Sequence, residues 1–388
     1  MVPGSRPGSG ARRRPRRGGA ARETLAILGT GLMGGSLGLA SLAEELVDRV
    51  TGWDADPDMA KRALARGAVT EVAGSVAEAV AGASLVVLSM PVSAIPASFR
   101  AVAPHLQPGA VVTDLGSTKG RVVEEINPLV PDGVHFIGGH PIAGSEKEGI
   151  EAADPDLFRG AFWILTPTTQ TDPEAYGRLV HFLGGLAVHV LSLDPARHDE
   201  LLALTSHLPQ LLSSTLMGFA ADIAAAEGGL PLAAGGGFRD MTRIAGSSPD
   251  LWLDIVRENR RAVLALLHRF QEALESTTAY IDHQDWEGLR AALAAAREGR
   301  ARLPEKPGLE PASLMELLIP VPDRPGVIAE VTTTVGEAGV NIEGLTIVHS
   351  PEGGRGTMHL EVNGEAAARV AGEALERKGY LPHIVPGL

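Results

Sequence analysis

The sequence predicts an α/β domain with a parallel sheet, then an all-α domain, then a small α+β domain of βαββαβ order. Three observations support this division. Short Val and Leu runs alternate with helical stretches from Glu23 to about Pro173, apolar residues then recur at helical spacing as far as Leu303, and a Pro- and Gly-containing stretch follows at 304–312. The 388 residues are enough for two or three domains with cores of their own.

Four short apolar segments are predicted to be central strands of the first domain, which spans residues 23–173. They are Leu25–Leu28, Val50–Trp53, Leu85–Leu88 and Ala110–Thr113. Continuous Val and Leu strands separated by helices are typical of a parallel sheet that is covered on both faces. This predicts a doubly wound α/β domain.

The second domain, predicted over residues 174–303, is rich in Ala, Leu, Arg and Glu. Leu201–Ala226 and Leu251–Ile281 are predicted to be long helices. A linker at 304–313 leads to the third domain, at 314–388. Its predicted elements are, in order, strand Leu314–Pro320, helix Val327–Ala338, strand Leu345–His349, strand Thr357–Val362, helix Glu365–Lys378 and strand His383–Val385.

The charge of the chain is unevenly distributed. The whole chain has a net charge of −13, yet residues 1–22 contain seven arginines and no acidic residue. The remaining chain would repel a phosphate backbone, so no nucleic-acid partner is expected. The Arg-rich segment lacks the apolar stretch of a secretory signal and is predicted to be disordered, with an electrostatic docking arm as the alternative.

Cysteine content and hydropathy indicate the cellular compartment in which the protein is expected. The chain contains no cysteine, which excludes disulfides and thiol chemistry and favours the cytoplasm. Two charge-free runs, Ala79–Phe99 and Leu201–Ala221, approach the length of a membrane span. Each contains proline as well as polar residues, so both are predicted to be buried elements of folded domains. No membrane partner is expected.

A glycine-rich turn follows the first predicted strand and opens a helix. Its sequence, Gly29-Thr-Gly31-Leu32-Met33-Gly34, is a dinucleotide fingerprint in the context that such a motif requires. The first glycine permits the tight turn, the second lets the backbone approach a pyrophosphate, and the third allows close packing of helix on strand. The sequence therefore predicts a Rossmann-type domain whose residues 29–34 bind the cofactor.

Asp54 closes the second predicted strand, twenty residues after Gly34. An acidic residue at this position can accept a hydrogen bond from the ribose 2′-hydroxyl, and it would repel a 2′-phosphate. Neither Ala55 nor Asp56 supplies a cation to receive that phosphate. NAD is therefore predicted as the cofactor in preference to NADP, with a plain surface role for Asp54 as the alternative.

Two polar clusters lie just past predicted strand ends, where open α/β sheets bind their ligands. They are Asp114–Gly120 and Gly138–Glu146, and the second contains His140 between glycines and a proline. A neutral imidazole can accept the proton of a substrate hydroxyl while hydride leaves the same carbon. His140 is therefore a candidate catalytic residue, with a structural histidine as the alternative.

The chain resembles prephenate/arogenate dehydrogenases, which make the tyrosine precursor from a cyclohexadienyl substrate. The matching stretches are GTGLMGGS (29–36), DLGSTKG (114–120), GGHPIAGSEKEG (138–149), SHLPQ (206–210), GGGFRDMTRIAGSSPDLW (235–252) and ENR (258–260). The resemblance implies an NAD-dependent oxidative decarboxylation in which hydride leaves the hydroxyl-bearing carbon, the ring carboxylate leaves as CO₂ and the ring aromatises. No metal is implied, because hydride transfer to NAD⁺ supplies the electron sink.

The resemblance also implies roles for individual residues. His140 accepts the hydrogen bond of the substrate hydroxyl, Ser117 positions His140 and the nicotinamide, and Arg243 clamps a substrate carboxylate. Arg239 lies four residues before Arg243, which on one helix places both cations on the same face, although a solvated surface pair is the alternative. Arg239 stands where relatives often have Lys, which leaves its role less defined.

Further pocket residues follow from the same resemblance. His207, in an otherwise apolar helix, is expected to line the substrate pocket, with a buried core histidine as the alternative. Ser145 and Glu146 are expected near the substrate side chain, and Trp252 is expected to pack beside the pocket. Gln210 stands where many relatives carry His, so a second-histidine role there is not expected.

The last domain resembles an ACT domain, an amino-acid-sensing module. Asp323, Arg324 and Gly326 in one strand–helix junction and Asn341 in another are expected to bind the effector, with tyrosine as the pathway product and a purely structural module as the alternative. The resemblance further implies a homodimer formed through the helical domain.

Three other functions are compatible with parts of the sequence. Arogenate as the main substrate, or dual use, depends on a few pocket atoms. A β-hydroxyacid dehydrogenase would need a catalytic Lys on a helix of the second domain, and residues 206–261 contain none. A silent nucleotide and amino-acid sensor would require loss of His140 or Ser117, and both are present.

Overall fold

A computed structural model describes residues 23–143, 147–227, 235–301, 314–322, 324–349 and 355–386. The predicted disordered segment 1–22 and the predicted linker 304–313 lie outside these residues, as do Ser145, Glu146 and Asp323. The chain divides into two compact units, Met1–Thr278 and Ala279–Leu388.

The first unit is built on an eight-stranded sheet with the order β3-β2-β1-β4-β5-β6-β7-β8. The first six strands are parallel, β7 is antiparallel to β6, and β8 is parallel to β7. The order of β1 to β6 is that of a dinucleotide-binding Rossmann fold, which confirms the predicted fold class. The strands are β1 (Glu23–Leu28), β2 (Val47–Trp53), β3 (Glu71–Val72), β4 (Leu85–Leu88), β5 (Val111–Asp114), β6 (His135–Ile142), β7 (Phe162–Thr166) and β8 (His189–Ser192).

Helices cover both faces of this sheet. They are α1 (Leu32–Ala43), α2 (Pro57–Ala65), α3 (Val76–Val80), α4 (Ile95–Val102), α5 (Gly120–Ile126) and α6 (Pro173–Gly184). Alternate residues of β1 enter two different cores, because Leu25 and Ile27 belong to one and Ala26 and Leu28 to the other. Burial on both faces explains why the strands are continuously apolar.

The sheet extends past residue 173, the predicted end of the first domain. Helix α6 and strand β8 follow that position, and β8 pairs with β7 through four residues. Exposure explains why the sequence did not predict β8. Three of the four residues of His189–Ser192 are exposed, and His189 and Ser192 flank only two apolar residues, so the segment lacks the continuous apolar run of the inner strands.

Helices continue the first unit beyond the sheet. They are α7 (Pro195–Leu202), α8 (Leu208–Glu227), α9 (Gly236–Thr242), α10 (Pro249–Glu258) and α11 (Arg260–Asp282). Helix α11 ends within the second unit, in which α12 (Trp286–Ala301) follows. Among the described residues, none of these helices combines the length and apolar character that crossing a membrane requires.

Both predicted long helices are interrupted. A π turn at Ala203–His207 separates α7 from α8. Pro209 has no N–H to donate to the carbonyl of Thr205, which explains the local widening. The predicted helix Leu251–Ile281 is broken at Asn259, whose backbone leaves the helical region and whose side chain bonds to other elements.

The second unit contains a four-stranded antiparallel sheet with the order β10-β11-β9-β12. Its strands are β9 (Leu314–Pro322), β10 (Gly344–His349), β11 (Arg355–Asn363) and β12 (His383–Pro386), and its helices are α13 (Val327–Glu337) and α14 (Glu365–Arg377). Leu317, Ile319 and Val321 alternate along β9 into a core shared with both helices. The predicted βαββαβ order is confirmed.

Candidate active site

Two glycines of the glycine-rich loop are closely packed and the third is open. Gly29 has φ +94°, and a Cβ there would lie 2.0 Å from the carbonyl oxygen of Ser89. A Cβ on Gly34 would lie 2.0 Å from the carbonyl oxygen of Gly29, whereas a Cβ on Gly31 would meet no atom within 4 Å. Helix α1 begins after Gly31 without a side-chain cap, so its first N–H groups are available to an anion.

Asp54 is held against the same loop. Its Oδ2 accepts hydrogen bonds from the backbone N–H (2.7 Å) and the hydroxyl (3.1 Å) of Thr30, and its Oδ1 accepts one from the N–H of Asp56. The carboxylate is half-buried at the end of β2, next to the first turn of α1, which carries Leu32 and Met33. The loop and Asp54 therefore form one bonded unit that fits a dinucleotide.

A buried ion pair lies within the DLGSTKG loop, and its carboxylate also accepts a hydrogen bond from strand β6. Lys119 Nζ donates to Asp114 Oδ2, and neither side chain is exposed. Asp114 also accepts from the backbone N–H groups of Gly116 and Gly139. Burial lowers the pKa of Lys119, and the neighbouring carboxylate of Asp114 opposes that shift. The loop that carries the half-buried Ser117 is thereby tied to the residue preceding His140.

His140 is a buried side chain on β6, with 9% of its surface exposed. Its Nδ1 lies 2.8 Å from Nε2 of His198 on α7, and the two rings meet edge to face. Burial, reinforced by His198 and Lys119, holds the pKa of His140 well below its usual value. The imidazole is therefore neutral at pH 7, as a proton acceptor must be.

His198 and Asp199 complete a buried polar chain behind His140. The Nδ1 of His198 lies 2.9 Å from Oδ1 of Asp199. The same carboxylate accepts from the backbone N–H groups of Lys119 (2.7 Å) and Gly120 (2.8 Å), at the start of α5. Asp199 thus fastens the helix after β8 to the DLGSTKG loop.

His207 lies in the π turn and is 1% exposed. Asn259 donates from Nδ2 to the backbone carbonyl of Asp199 (2.7 Å) and to Nδ1 of His207 (3.1 Å). Because Nδ1 accepts this bond, the neutral ring carries its proton on Nε2 and is a donor there. Burial lowers the pKa of His207 to about 4, and Trp252 packs edge-on against the ring.

The two candidate arginines do not share one regular helix. Arg239 is on α9, which ends at Thr242, and Arg243 begins the 3₁₀ turn Arg243–Gly246. Both side chains are exposed. Gln210 Nε2 donates to the carbonyl of Ile244 in this turn (2.9 Å), so α8, the helix that follows His207, holds the turn that presents Arg243.

His198 and Asp199 are site residues that the sequence does not predict. Lys119 and Asn259 were present in two of the quoted motifs, DLGSTKG and ENR, but received no role. The pair at 198–199 occurs in an ordinary charged helix, whose Pro195 stands at the first helical position, where proline is common, and does not single the pair out. Only the approach of α7 to β6 brings it to His140, which is 58 residues away in the chain.

The expected effector residues Arg324, Gly326 and Asn341 lie at two junctions between strands and helices of the second unit. Arg324 forms an ion pair with Glu330 (2.6 Å), and that hydrogen bond lowers the pKa of Glu330. Gly326 caps α13 with φ +89°, a conformation that favours glycine. Asn341 donates to Glu343 (2.9 Å).

Comparison with protein families gives three successive matches. Residues 39–192 match the nucleotide-binding domain of prephenate dehydrogenase, residues 194–295 match its dimerization domain, and residues 315–379 match the ACT domain. A prephenate dehydrogenase of Bacillus subtilis is 32% identical over 362 residues, which cover 92% of this chain and 96% of that protein.

Solved structures agree with these matches. A prephenate dehydrogenase from A. aeolicus, in complex with hydroxyphenyl propionate and NAD⁺, has a TM-score of 0.68 at 30% identity and covers 73% of this chain and 98% of its own. An arogenate dehydrogenase of Synechocystis has a TM-score of 0.63 at 31% identity, over 72% of this chain and 99% of its own.

Proposed function

This chain belongs to the prephenate dehydrogenase family and is an NAD-dependent oxidoreductase, and from that premise we propose that it oxidatively decarboxylates prephenate. Prephenate and NAD⁺ give 4-hydroxyphenylpyruvate, CO₂ and NADH. The observation that carries the proposal is a buried, neutral His140 next to the motif loop that carries Ser117, in a chain with a dinucleotide-binding loop.

The reaction requires a proton acceptor at the substrate hydroxyl. When bound, NAD⁺ supplies the electron sink that receives hydride from the carbon bearing that hydroxyl. His140 takes the hydroxyl proton as the C–O bond acquires double-bond character. The bond between the ring and its carboxylate then breaks, CO₂ leaves, the electron pair completes the aromatic ring, and the proton held by His140 returns to the ring oxygen to give the phenol. A neutral imidazole is suited to this step because its lone pair is free at working pH.

The cofactor is held by the first unit. The open space over Gly31 and the uncapped start of α1 suit the pyrophosphate, with Leu32 and Met33 in the same turn. Asp54 is proposed to accept a hydrogen bond from the ribose 2′-hydroxyl and to repel a 2′-phosphate. NAD is therefore favoured over NADP.

The substrate is a dianion, and cations and donors on the helices are proposed to hold it. Arg243 supplies the main carboxylate clamp, supported by Arg239. His207 contributes its Nε2–H as a neutral donor, and Ser117 orients His140 and the nicotinamide. Ser145 and Glu146, which lie outside the described residues, are proposed to contact the substrate side chain.

Arogenate is the second candidate substrate. The similarity to the Synechocystis arogenate dehydrogenase supports it at nearly the same identity as the similarity to the A. aeolicus enzyme. Arogenate differs from prephenate by an ammonium in place of the side-chain ketone, so the chemistry at the ring is unchanged. Dual specificity therefore requires no second mechanism.

Regulation, assembly and location complete the proposal. The ACT domain is proposed to bind tyrosine through Asp323, Arg324, Gly326 and Asn341, and the segment that matches a dimerization domain is proposed to form a homodimer. A cytoplasmic location is proposed from the absence of cysteine.

Initial rates of NADH formation test the proposal. Prephenate and arogenate are each assayed with NAD⁺ and with NADP⁺. We expect kcat/KM with NAD⁺ to exceed that with NADP⁺ by at least about tenfold, roughly 1.4 kcal/mol. Turnover of neither substrate would overturn the proposed function, and equal use of both cofactors would overturn the role of Asp54.

A further inference from the structure

We propose that His198 and Asp199 are positioning residues that place the proton of His140 on Nδ1 and leave its Nε2 as the bare acceptor for the substrate hydroxyl. This inference rests on the proposed function for the role of Nε2, but the proton positions themselves follow from the buried hydrogen bonds. Three contacts support the proposal, and together they determine which ring nitrogen of each histidine carries the proton.

The first contact is between His198 and Asp199. An ionised carboxylate can only accept hydrogen bonds, so the bond of 2.9 Å requires the proton of His198 to be on Nδ1. Burial is the main cause that lowers the pKa of His198, so the ring is neutral at pH 7 and its Nε2 carries a lone pair.

The second contact is between the two histidines. Nε2 of His198 lies 2.8 Å from Nδ1 of His140, so a bond exists only if His140 donates from Nδ1. A neutral His140 that carries its proton on Nδ1 has an unprotonated Nε2. The tautomer that can accept a substrate proton is thereby selected.

The third contact anchors the carboxylate. Asp199 accepts from the N–H groups of Lys119 and Gly120 as well as from His198, and Asn259 holds its backbone carbonyl. A Cβ on Gly120 would lie 2.9 Å from Oδ2 of Asp199, so the absence of a side chain at 120 leaves room for this arrangement. Two backbone donors at the start of α5 and the Nδ1–H of His198 therefore fix the position of the carboxylate.

The hydrogen-bonded pair of His198 and Asp199 also affects the protonated form of His140. Once Nε2 has taken the substrate proton, the imidazolium donates from Nδ1 to His198, and the carboxylate of Asp199 lies one ring further on. Lys119 and His207 also face this group: the Lys119 ammonium disfavours a proton on His140, whereas His207 is neutral at pH 7 and would disfavour it only when protonated. Lys119 is paired with Asp114, so Asp199 is the carboxylate left to balance the new charge through His198.

Nitrogen NMR tests the proton positions without reference to activity. Full-length protein labelled with ¹⁵N-histidine is examined at pH 7.5, and His140, His198 and His207 are assigned from single substitutions among the twelve histidines. We expect Nδ1–H tautomers for His140 and His198 and the Nε2–H tautomer for His207. An Nε2–H tautomer of His140, or a charged His198, overturns the proposal even if the enzyme turns over prephenate.

Substitutions at His198 test the consequence for the reaction. His198→Leu removes the acceptor, and we expect kcat to fall by about 100-fold or more, the usual contribution of a general base, with the Kd for NAD⁺ unchanged. His198→Gln places an oxygen near the former Nε2, so it is expected to recover at least about tenfold of that loss and to restore the Nδ1–H signal of His140.

The control and the contradicting results are specific to this role. His105→Leu removes an exposed histidine from the first unit and should leave kcat unchanged. Equal activities of His198→Leu and His198→Gln, each folded by circular dichroism, would contradict tautomer control. Every rate is expressed relative to that of the wild type. An inactive wild type would therefore count against the proposed function. The NMR measurement would still decide the proton positions.

Discussion

Acid should destabilise the first unit through His207, and the substitution that isolates this effect is His207→Asn. The ring is 1% exposed, and its Nδ1 accepts from Asn259. Asn at 207 keeps an oxygen close to the former Nδ1, so the bond to Asn259 is retained while the titrating group is removed. The variant therefore separates the proton linkage of His207 from its contacts.

The magnitude follows from the two pKa values of His207. Its pKa is about 4 in the folded chain and 6.5 when unfolded, so the unfolded state binds the proton more tightly. The stabilisation is fully present above pH 6.5 and is lost as the pH falls toward 4. Linkage gives a loss of about 2 kcal/mol in the free energy of unfolding between pH 7 and pH 5.

Urea unfolding at pH 7 and pH 5, followed by circular dichroism and tryptophan fluorescence, measures this loss. His140 and His198, whose pKa values are also lowered, are present in both wild type and variant. The midpoint of His207→Asn should fall less on acidification than that of the wild type, by roughly 0.7–1 M urea for an m-value of roughly 2–3 kcal/mol/M. Identical acid shifts in the two proteins, with His105→Asn as the exposed control, would refute the reasoning.

Three further outcomes are expected. His140→Asn should lower kcat by about 100-fold or more, since a general base is removed, while calorimetric NAD⁺ binding persists; an active variant would exclude His140 as the acceptor. Arg243→Ala should raise KM by about tenfold to a few hundredfold through loss of a charge-assisted hydrogen bond, and more than Arg239→Ala does; steady-state kinetics showing the reverse order would exchange the two roles. A chain cut within 304–313 should keep its activity and lose tyrosine inhibition apart from weak competition; identical inhibition curves for the full-length and cut proteins would rule out sensing by the last domain.

The sheet could be predicted because its cause is local. Strands such as Leu85–Leu88 are apolar throughout since both faces are buried, and this composition is visible without knowledge of any partner. Strand β8 is the opposite case, because its pairing with β7 was not accompanied by an apolar pattern. The fingerprint loop could also be predicted from the sequence. Gly29 and Gly34 have no room for a side chain because backbone atoms of the same loop and of the segment after β4 lie too close.

The polar part of the candidate site could be predicted only in pieces. His140 and Lys119 occur in motifs with unusual glycine content, but His198 becomes part of the site only when α7 packs beside β6. Asn259 breaks a helix that has regular apolar spacing, because its side chain bonds to Asp199 and His207, both more than fifty residues away. Such contacts depend on tertiary packing, which helical periodicity does not encode.

The pairing of strand β6 has a consequence for the timescale on which the site can move. Residues 135–137 pair with β5 and residues 138–142 pair with β7, so His140 lies in a stretch of backbone that is bonded within the sheet. Loops that carry functional groups open at little cost in free energy, whereas a strand inside a sheet exchanges its amide hydrogens only when a large part of the domain opens. The amide of Ile164, opposite His140, should therefore be among the slowest to exchange, and substrate entry and product release must be accommodated by other parts of the enzyme.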